Sequence, residues 1–189
     1  MVGEPVATAV KGVVFNLLEE VMVREGGDDL WDSLLDRAGL EGAYTSLGSY
    51  PDTDLFRLVA AASEALGVPA DEVVRWFGRN ALPLLVQTYH WFFAPHSTTR
   101  SLVLTLNDII HPEVRKLYPG VDVPVFEFDA SSDRVLVLGY ASPRKLCAFA
   151  EGLIEGTAAH YRERVSIVQP RCMNRGDDSC ALQITVAAA

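Results

Sequence analysis

The sequence predicts an α+β fold, with an N-terminal helical subdomain packed on a C-terminal subdomain that combines a small antiparallel sheet with helices. Three observations predict it. Apolar residues recur at helical spacing up to about residue 96; the first clear period-two alternation comes at RVLVLGY, residues 134–140; and the polar stretch CMNRGDDSC, residues 172–180, separates two further extended runs. At 189 residues the chain can bury a core without help from cross-links.

The first helix is expected from Lys11 to Val23, with Val14, Leu17, Leu18 and Val21 inward and Gly26-Gly27 as the stop. Residues 1–10 read as a flexible extension, and residues 11–189 as one domain divided into about 11–96 and about 97–189. Asp28 is expected to cap a second helix carrying Leu30, Trp31, Leu34 and Leu35, which ends before Gly39. GAYTSLGSYPD is a loop. Asp52 then caps a helix through Leu55, Leu58 and Ala62 that Gly67 closes, and Pro69 opens a short one that Gly78 ends. ALPLLVQTYHWFF is a separate buried helix with Pro83 in its first turn.

Ser97 or Thr98 can cap a long helix through Leu102, Leu106 and Ile110. Pro112 removes an amide donor from its middle and biases His111 away from helical angles, so a kink or restart is expected there. After the Tyr-Pro-Gly turn come extended segments at PVFEF and RVLVLGY, a helix over residues 145–161, and strands at RVSIVQ and CALQITV.

Composition narrows the function. Sixteen Lys and Arg against 25 Asp and Glu give a net charge of −9, which argues against nucleic acid or an anionic membrane surface as the main partner. There is no apolar run of the roughly 20 residues needed to cross a bilayer, and MVGEPVATAV lacks the basic start and apolar stretch of a signal peptide. A cytoplasmic location is the expectation. The three cysteines, Cys147, Cys172 and Cys180, are odd in number and in a reducing setting, which favours thiols or a metal site over disulfides. No nucleophile–base pair or carboxylate dyad emerges, so an enzyme is not expected.

By itself a histidine such as His111 is most often a partly buried side chain with one hydrogen bond. The stretch YASPR changes that reading. If it is extended, Tyr140, Ser142 and Arg144 point the same way, placing two hydroxyls and a planar guanidinium where they can hold carboxylates. Alone, Y-x-S-x-R reads as a solvated strand end. Together, a histidine beside a kink, a carboxylate receptor and a helical half rich in Leu, Val and Phe describe a pocket for a planar apolar ligand with an acidic edge, and the ligand expected there is haem.

From Lys11 onward the chain resembles the haem nitric-oxide/oxygen-binding (H-NOX) family, bacterial stand-alone members related to the sensor domain of soluble guanylate cyclase. The resemblance is carried by KGVVFNLLEE, DLWDSLLDRAGL, YTSLGSYPD, NDIIHPEVRKLYPG, Y-x-S-x-R and LCAFAEGLIEGTAAHY, in that order. It implies haem b between the two subdomains, His111 as proximal iron ligand, and Tyr140, Ser142 and Arg144 on the propionates. It also implies that Pro124 presses on the porphyrin and distorts it.

The resemblance further implies a distal face formed by Val14, Leu18, Ala81, Leu85 and Phe149. Oxygen-binding relatives carry a tyrosine donor five residues past the arginine, where this chain has Phe149. Bound oxygen is held by such a donor and nitric oxide does not need one, so a pocket without it favours nitric oxide. A donor from Tyr44, Tyr50 or Tyr89 would weaken that expectation. The implied mechanism is release of His111 when nitric oxide binds, relaxation of the porphyrin and rotation of the subdomains, signalling to a separate histidine kinase or cyclic-di-GMP enzyme. Carbon monoxide is a second candidate gas.

Some relatives hold zinc through three cysteines and a histidine. Cys147, Cys172 and Cys180 match the cysteines, but Gln169 stands where the histidine is expected. An amide is a poorer zinc ligand than imidazole, which makes zinc doubtful. Water, Asp177 or Asp178 is left to complete the site, His160 lying too far along its helix, or the thiols stay free and open to oxidation. The rival readings are therefore a cysteine-centred redox or zinc sensor and a haem-free interaction module.

Overall fold

The computed structural model describes residues 9–188. The chain divides into two compact units, one comprising the chain up to Val73 with Tyr118–Val121, the other Val74–Leu117 with Asp122 onward. The expected extension lies outside the described residues except for its end: Ala9 and Val10 belong to a strand.

The first unit opens with β1 (Ala9–Lys11), α1 (Gly12–Gly26) and α2 (Asp28–Ala38), followed by β2 (Ser49–Pro51) and α3 (Asp52–Leu66). β1 and β2 pair antiparallel, Val10 opposite Tyr50, a small sheet that strands of three residues do not announce in sequence. Trp31, Leu34 and Leu35 of α2 and Leu55, Leu58 and Ala62 of α3 are buried, as their helical spacing predicts. Gly39 and Gly67 end their helices in the left-handed conformation, with φ 65° and 66°.

α1 has no side-chain cap. Its first amides are satisfied from a distant loop: Gly12 N–H donates to the Gly48 carbonyl at 3.0 Å and Val13 N–H to that of Ser46 at 3.1 Å. The approach is tight enough that a Cβ on Gly12 would lie 2.0 Å from the Thr45 carbonyl oxygen. Tyr44 stacks on Phe15 at 4.1 Å between ring centroids and Tyr50 meets it edge-on at 5.7 Å. Asp28 and Asp52 lie inside the first turns of α2 and α3, after Gly27 and Pro51, where their charge favours the helix start without capping it.

α4 (Ala70–Thr88) begins in the first unit and continues through the second. It corrects the expected pair of short helices, for Gly78 does not end it. Gly78 is instead a close-packing residue: a Cβ there would lie 2.6 Å from the Phe149 carbonyl. α4 carries Pro83 in its interior, at an exposed position.

In the second unit follow α5 (His90–Phe93), α6 (Thr99–Val103), a π-helical turn at Leu106–Ile110 and α7 (His111–Leu117). The remaining elements are β3 (Glu127–Asp129), β4 (Val135–Tyr140), α8 (Cys147–His160), β5 (Glu163–Arg171) and β6 (Cys180–Ala188). The four strands form one antiparallel sheet in the order β3-β4-β6-β5. Leu136, Leu138, Leu182 and Ile184 build its buried face with Val103, Phe126 and Ile154. Gly152 and Gly156 let α8 cross close to α4; a Cβ on Gly152 would lie 2.0 Å from the Arg75 carbonyl oxygen. Ion pairs from Arg75 to Glu151 and Glu155, and from Arg79 to Glu155, flank that crossing. Among the described residues no helix is long and apolar enough to cross a membrane.

Candidate haem and thiol sites

Thr98 caps α6, its side chain accepting from Ser101 N–H at 3.2 Å. The long helix expected beyond it is broken instead into α6, the π turn and α7. His111 takes φ −64° and ψ −38°, ordinary helical values that correct the expected bias away from them. The reason is position: Pro112 is the second residue of α7, in the first turn, where a helix needs no amide donor. The irregularity falls in the widened turn just before His111, where the His111 amide bonds the Leu106 carbonyl.

Nδ1 of His111 is closed to solvent and has no hydrogen-bond partner. Burial pushes the ring below the usual histidine range, the Pro124 backbone pulls the other way and Arg115 adds to the lowering. Pro124 thus lies close enough to favour a charged ring, but no well-formed bond closes at Nδ1. The ring packs 5.4 Å from Phe126, and Phe126 in turn lies 6.0 Å from Tyr140.

β4 ends at Tyr140, so the expected extended Y-x-S-x-R is not a strand beyond its first residue. Lys145 N–H donates to the Ser142 carbonyl at 3.0 Å and Pro143 occupies the second position of the resulting turn. Folding back brings Ser142 to the Tyr140 side chain and to the Arg144 backbone, and the Arg144 guanidinium turns to Asp122. Tyr140 Oη accepts from Leu146 N–H at 3.0 Å, and Ser142 Oγ accepts from Arg144 N–H at 3.3 Å. Burial raises the Tyr140 phenol above its usual range, against hydrogen bonds from Ser142 and Leu146. Arg144, its side chain 11% exposed, donates from Nη1 to the Asp122 carbonyl at 3.1 Å and to Asp122 Oδ2 at 3.2 Å. Asp122 is exposed, so a carboxylate ligand would compete with a solvated one for this guanidinium.

Asn107 and Phe126 carry no mark in the sequence. Asn107 Nδ2 donates to the Phe126 carbonyl at 2.7 Å, and Phe126 N–H donates to Asn107 Oδ1 at 3.0 Å. Only the tertiary fold gives Asn107 its partner, 19 residues away.

Of the residues assigned to the distal face, Leu18 is buried and Val14 half-buried on α1, in the first unit. In the second, Ala81 is fully buried on α4, Leu85 packs on the cluster of Leu82, Phe93 and Leu102, and Phe149 stacks on Phe77 at 5.3 Å. All five are apolar. Tyr44 and Tyr50 belong to the aromatic cluster on Phe15, with Tyr50 Oη accepting from Thr45 N–H at 2.7 Å, and Tyr89 packs edge-on with Trp91.

The three cysteines meet at one buried corner, all three sulfurs within 4.8 Å of one another and Cys147 to Cys172 at 3.7 Å. α8 brings Cys147, the end of β5 leads to Cys172, and β6 starts at Cys180. Burial pushes the Cys147 thiol up to about 12, with the Gln169 amide acting in the opposite sense. Gln169 is thus next to Cys147, yet its Nε2 is buried without a hydrogen-bond partner, so the contact is too poorly aligned to satisfy that donor. Asp177 and Asp178 do not join the cluster; Asp177 Oδ2 accepts from Cys172 N–H at 2.7 Å and closes the turn. His160 packs instead beside Phe93 and Tyr161.

Over residues 11–169 the sequence matches the family described as haem-NO-binding. The fold is similar to that of an H-NOX protein from Shewanella oneidensis in the Fe(II)NO ligation state, at 33% identity over 94% of this chain and 99% of that one, with a TM-score of 0.88. It is also similar to the H-NOX of Shewanella woodyi in the Fe(II)CO state with the compound IWP-051 bound, at 34% identity, 94% and 95% coverage and a TM-score of 0.80. An oxygen-binding H-NOX domain related to soluble guanylate cyclases shares the fold at 22% identity, 94% coverage of each chain and a TM-score of 0.77.

Proposed function

Because the chain belongs to the haem-NO-binding (H-NOX) family, whose members are haem-based gas-sensing domains and not catalysts, we propose that it senses nitric oxide at ferrous haem b and signals to a separate protein. The observation that carries this reading is the continuity of His111, Phe126 and Tyr140, ring against ring, which supports a shared site for the residues we assign to the iron and to a propionate.

The residues suit the group. His111 offers a half-buried imidazole that burial favours in its neutral form, the form an axial ligand takes. Arg144 supplies a nearly buried guanidinium, and Tyr140 and Ser142 the hydroxyls, for two propionates. No Cys-x-x-Cys-His stretch is present to attach haem covalently, which favours haem b. When bound, the haem supplies a ferrous iron that takes up a diatomic gas. The chain's own part is to hold His111 weakly enough to be given up, and to offer no donor from Phe149, Ala81 or Leu85 that would favour oxygen. Release of His111 frees α7, and that movement is what a partner reads, a histidine kinase or cyclic-di-GMP enzyme being the kind expected. A coupling of about 1–3 kcal/mol is enough for such a shift to matter. Carbon monoxide, which does not need a distal donor either, is a further ligand.

The test is the absorption spectrum of the reduced protein without air, then with nitric oxide, then with oxygen. A spectrum of histidine-ligated ferrous haem, loss of the histidine ligand with nitric oxide and no stable oxygen complex are expected. A stable oxygen complex would sink the selectivity, and a His111→Gly protein with an unaltered ferrous spectrum would sink the ligand assignment.

The thiol corner supports a second reading, zinc or redox sensing, because three buried sulfurs within 4.8 Å of one another are a thiolate metal site in all but the fourth ligand. Zinc content and thiol titration measured together on the haem-loaded protein separate the two readings.

A further inference from the structure

The segment Asp122–Phe126 runs as a strap without secondary structure ahead of β3, and it is fastened at both ends. At one end Arg144 grips Asp122 through its carbonyl and carboxylate. At the other, the Asn107 amide pairs with both the N–H and the carbonyl of Phe126, at 3.0 and 2.7 Å. A side-chain amide has the same donor and acceptor as a peptide group, so Asn107 stands in for a missing strand neighbour. Phe126 is 7% exposed, and its backbone groups would otherwise be costly to leave unpaired. Between the two fastenings lies Pro124, whose backbone faces the His111 ring. Asn107 itself belongs to the π turn that runs into His111. The strap is therefore tied to the histidine's own helix, and its Phe126 ring packs on the histidine's ring at 5.4 Å.

We propose that Asn107 is a positioning residue: by clamping Phe126 it holds the Asp122–Phe126 strap, Pro124 included, against His111, and so sets how readily His111 leaves the iron. This rests on the reading of His111 as the iron ligand. It adds a residue that touches neither haem nor gas and acts through the strap. Opening the clamp lets the strap drift from the ring, so His111 is confined less and departs sooner.

The experiment uses the full haem-loaded chain and two variants, Asn107→Asp and Asn107→Leu. Asn107→Asp keeps the acceptor for Phe126 N–H and removes the donor to its carbonyl at almost unchanged size, so it decides the matter even if Asn107→Leu does not fold. Three quantities are read: hydrogen exchange at the Phe126 amide, the His111–iron stretching frequency of the reduced protein, and the rate at which added nitric oxide displaces His111. Loss of both bonds in Asn107→Leu should speed exchange at Phe126 and displacement of His111 by about three- to tenfold; Asn107→Asp, which keeps the acceptor for the Phe126 N–H, should leave that exchange nearly unchanged and speed displacement by less, with a shifted stretching frequency in both. A purely structural role would lower the melting temperature and speed exchange across β4 and β6, with frequency and displacement rate unchanged; that result overturns the inference. A normal wild-type response beside unresponsive variants overturns the clamp alone. An unaltered spectrum in His111→Gly overturns the functional reading and the clamp with it.

Discussion

Half-buried His111 and the buried three-cysteine corner lie in the same unit, and they are held in contrasting ways. His111 stands at the start of a seven-residue helix behind a widened turn, with an unpaired ring nitrogen and one nearby backbone group on a strap. The cysteines are fixed by three different elements, and two of them flank the tight turn that leads from β5 to β6. A single ligand on a short helix can leave without unfolding anything. Three sulfurs on α8, just past the end of β5 and at the start of β6 cannot move apart without disturbing the sheet. Under the proposed function, the first arrangement suits an iron bond that breaks, and under the thiol reading the second suits a metal bond that lasts.

Four measurements would break or sharpen that contrast. The largest effect is expected from His111→Gly, which should abolish the native ferrous spectrum and recover it when free imidazole is added, while Cys172→Ala should leave that spectrum in place. If Cys172→Ala also erased it, the two sites would not be separable. Next comes Gly152→Ala, because α8 starts at Cys147 and also carries Phe149. A Cβ 2.0 Å from the Arg75 carbonyl oxygen must push α8 from α4, at a cost of about 1–3 kcal/mol. A lowered melting temperature with changes at both sites is expected, and an unchanged one would refute the close crossing.

Gln169→His should raise zinc retention against a chelator by about tenfold or more, since imidazole replaces an amide as fourth ligand. Equal zinc loss from both proteins would show that residue 169 does not face the metal. The smallest effect is one of pH on the haem-free protein. Burial lowers the His111 pKa from about 6.5, so the unfolded chain binds the proton more readily than the folded one. The stability this ring contributes is full above about pH 6.5 and is lost as pH falls from there through the lower folded value. Denaturant melts from pH 7.5 to 5 should show that loss, reduced in His111→Gln.

How far the sequence reveals these regions differs in the same way. The α+β fold class, Thr98 as a cap and the glycine stops after α2 and α3 all follow from local rules. Tyr140 and Ser142 do meet, but through a turn and not an extended strand, and the Arg144 side chain goes to Asp122. What stays hidden is set by contacts between distant residues. Gly78 reads as a helix stop because a glycine is a poor helix former, yet the neighbouring Phe149 backbone requires it there. Pro112 reads as a disruption of His111, yet a helix that restarts one residue earlier makes it harmless. Asn107 has nothing to distinguish it until Phe126 is folded against it. Gln169 was legible as a departure, but its nearness to Cys147 with an unpaired Nε2 was not.

The first helix carries a consequence for the order in which the chain acquires structure. Its leading amides, on Gly12 and Val13, find their acceptors only at Gly48 and Ser46, and no side chain near Lys11 substitutes for them. As the polypeptide emerges from the ribosome, this end of the helix stays frayed until more than thirty further residues have followed it out. The turn at Thr45–Gly48 then works as a latch closed from downstream, and the start of α1 becomes definite only after a later stretch has been synthesised.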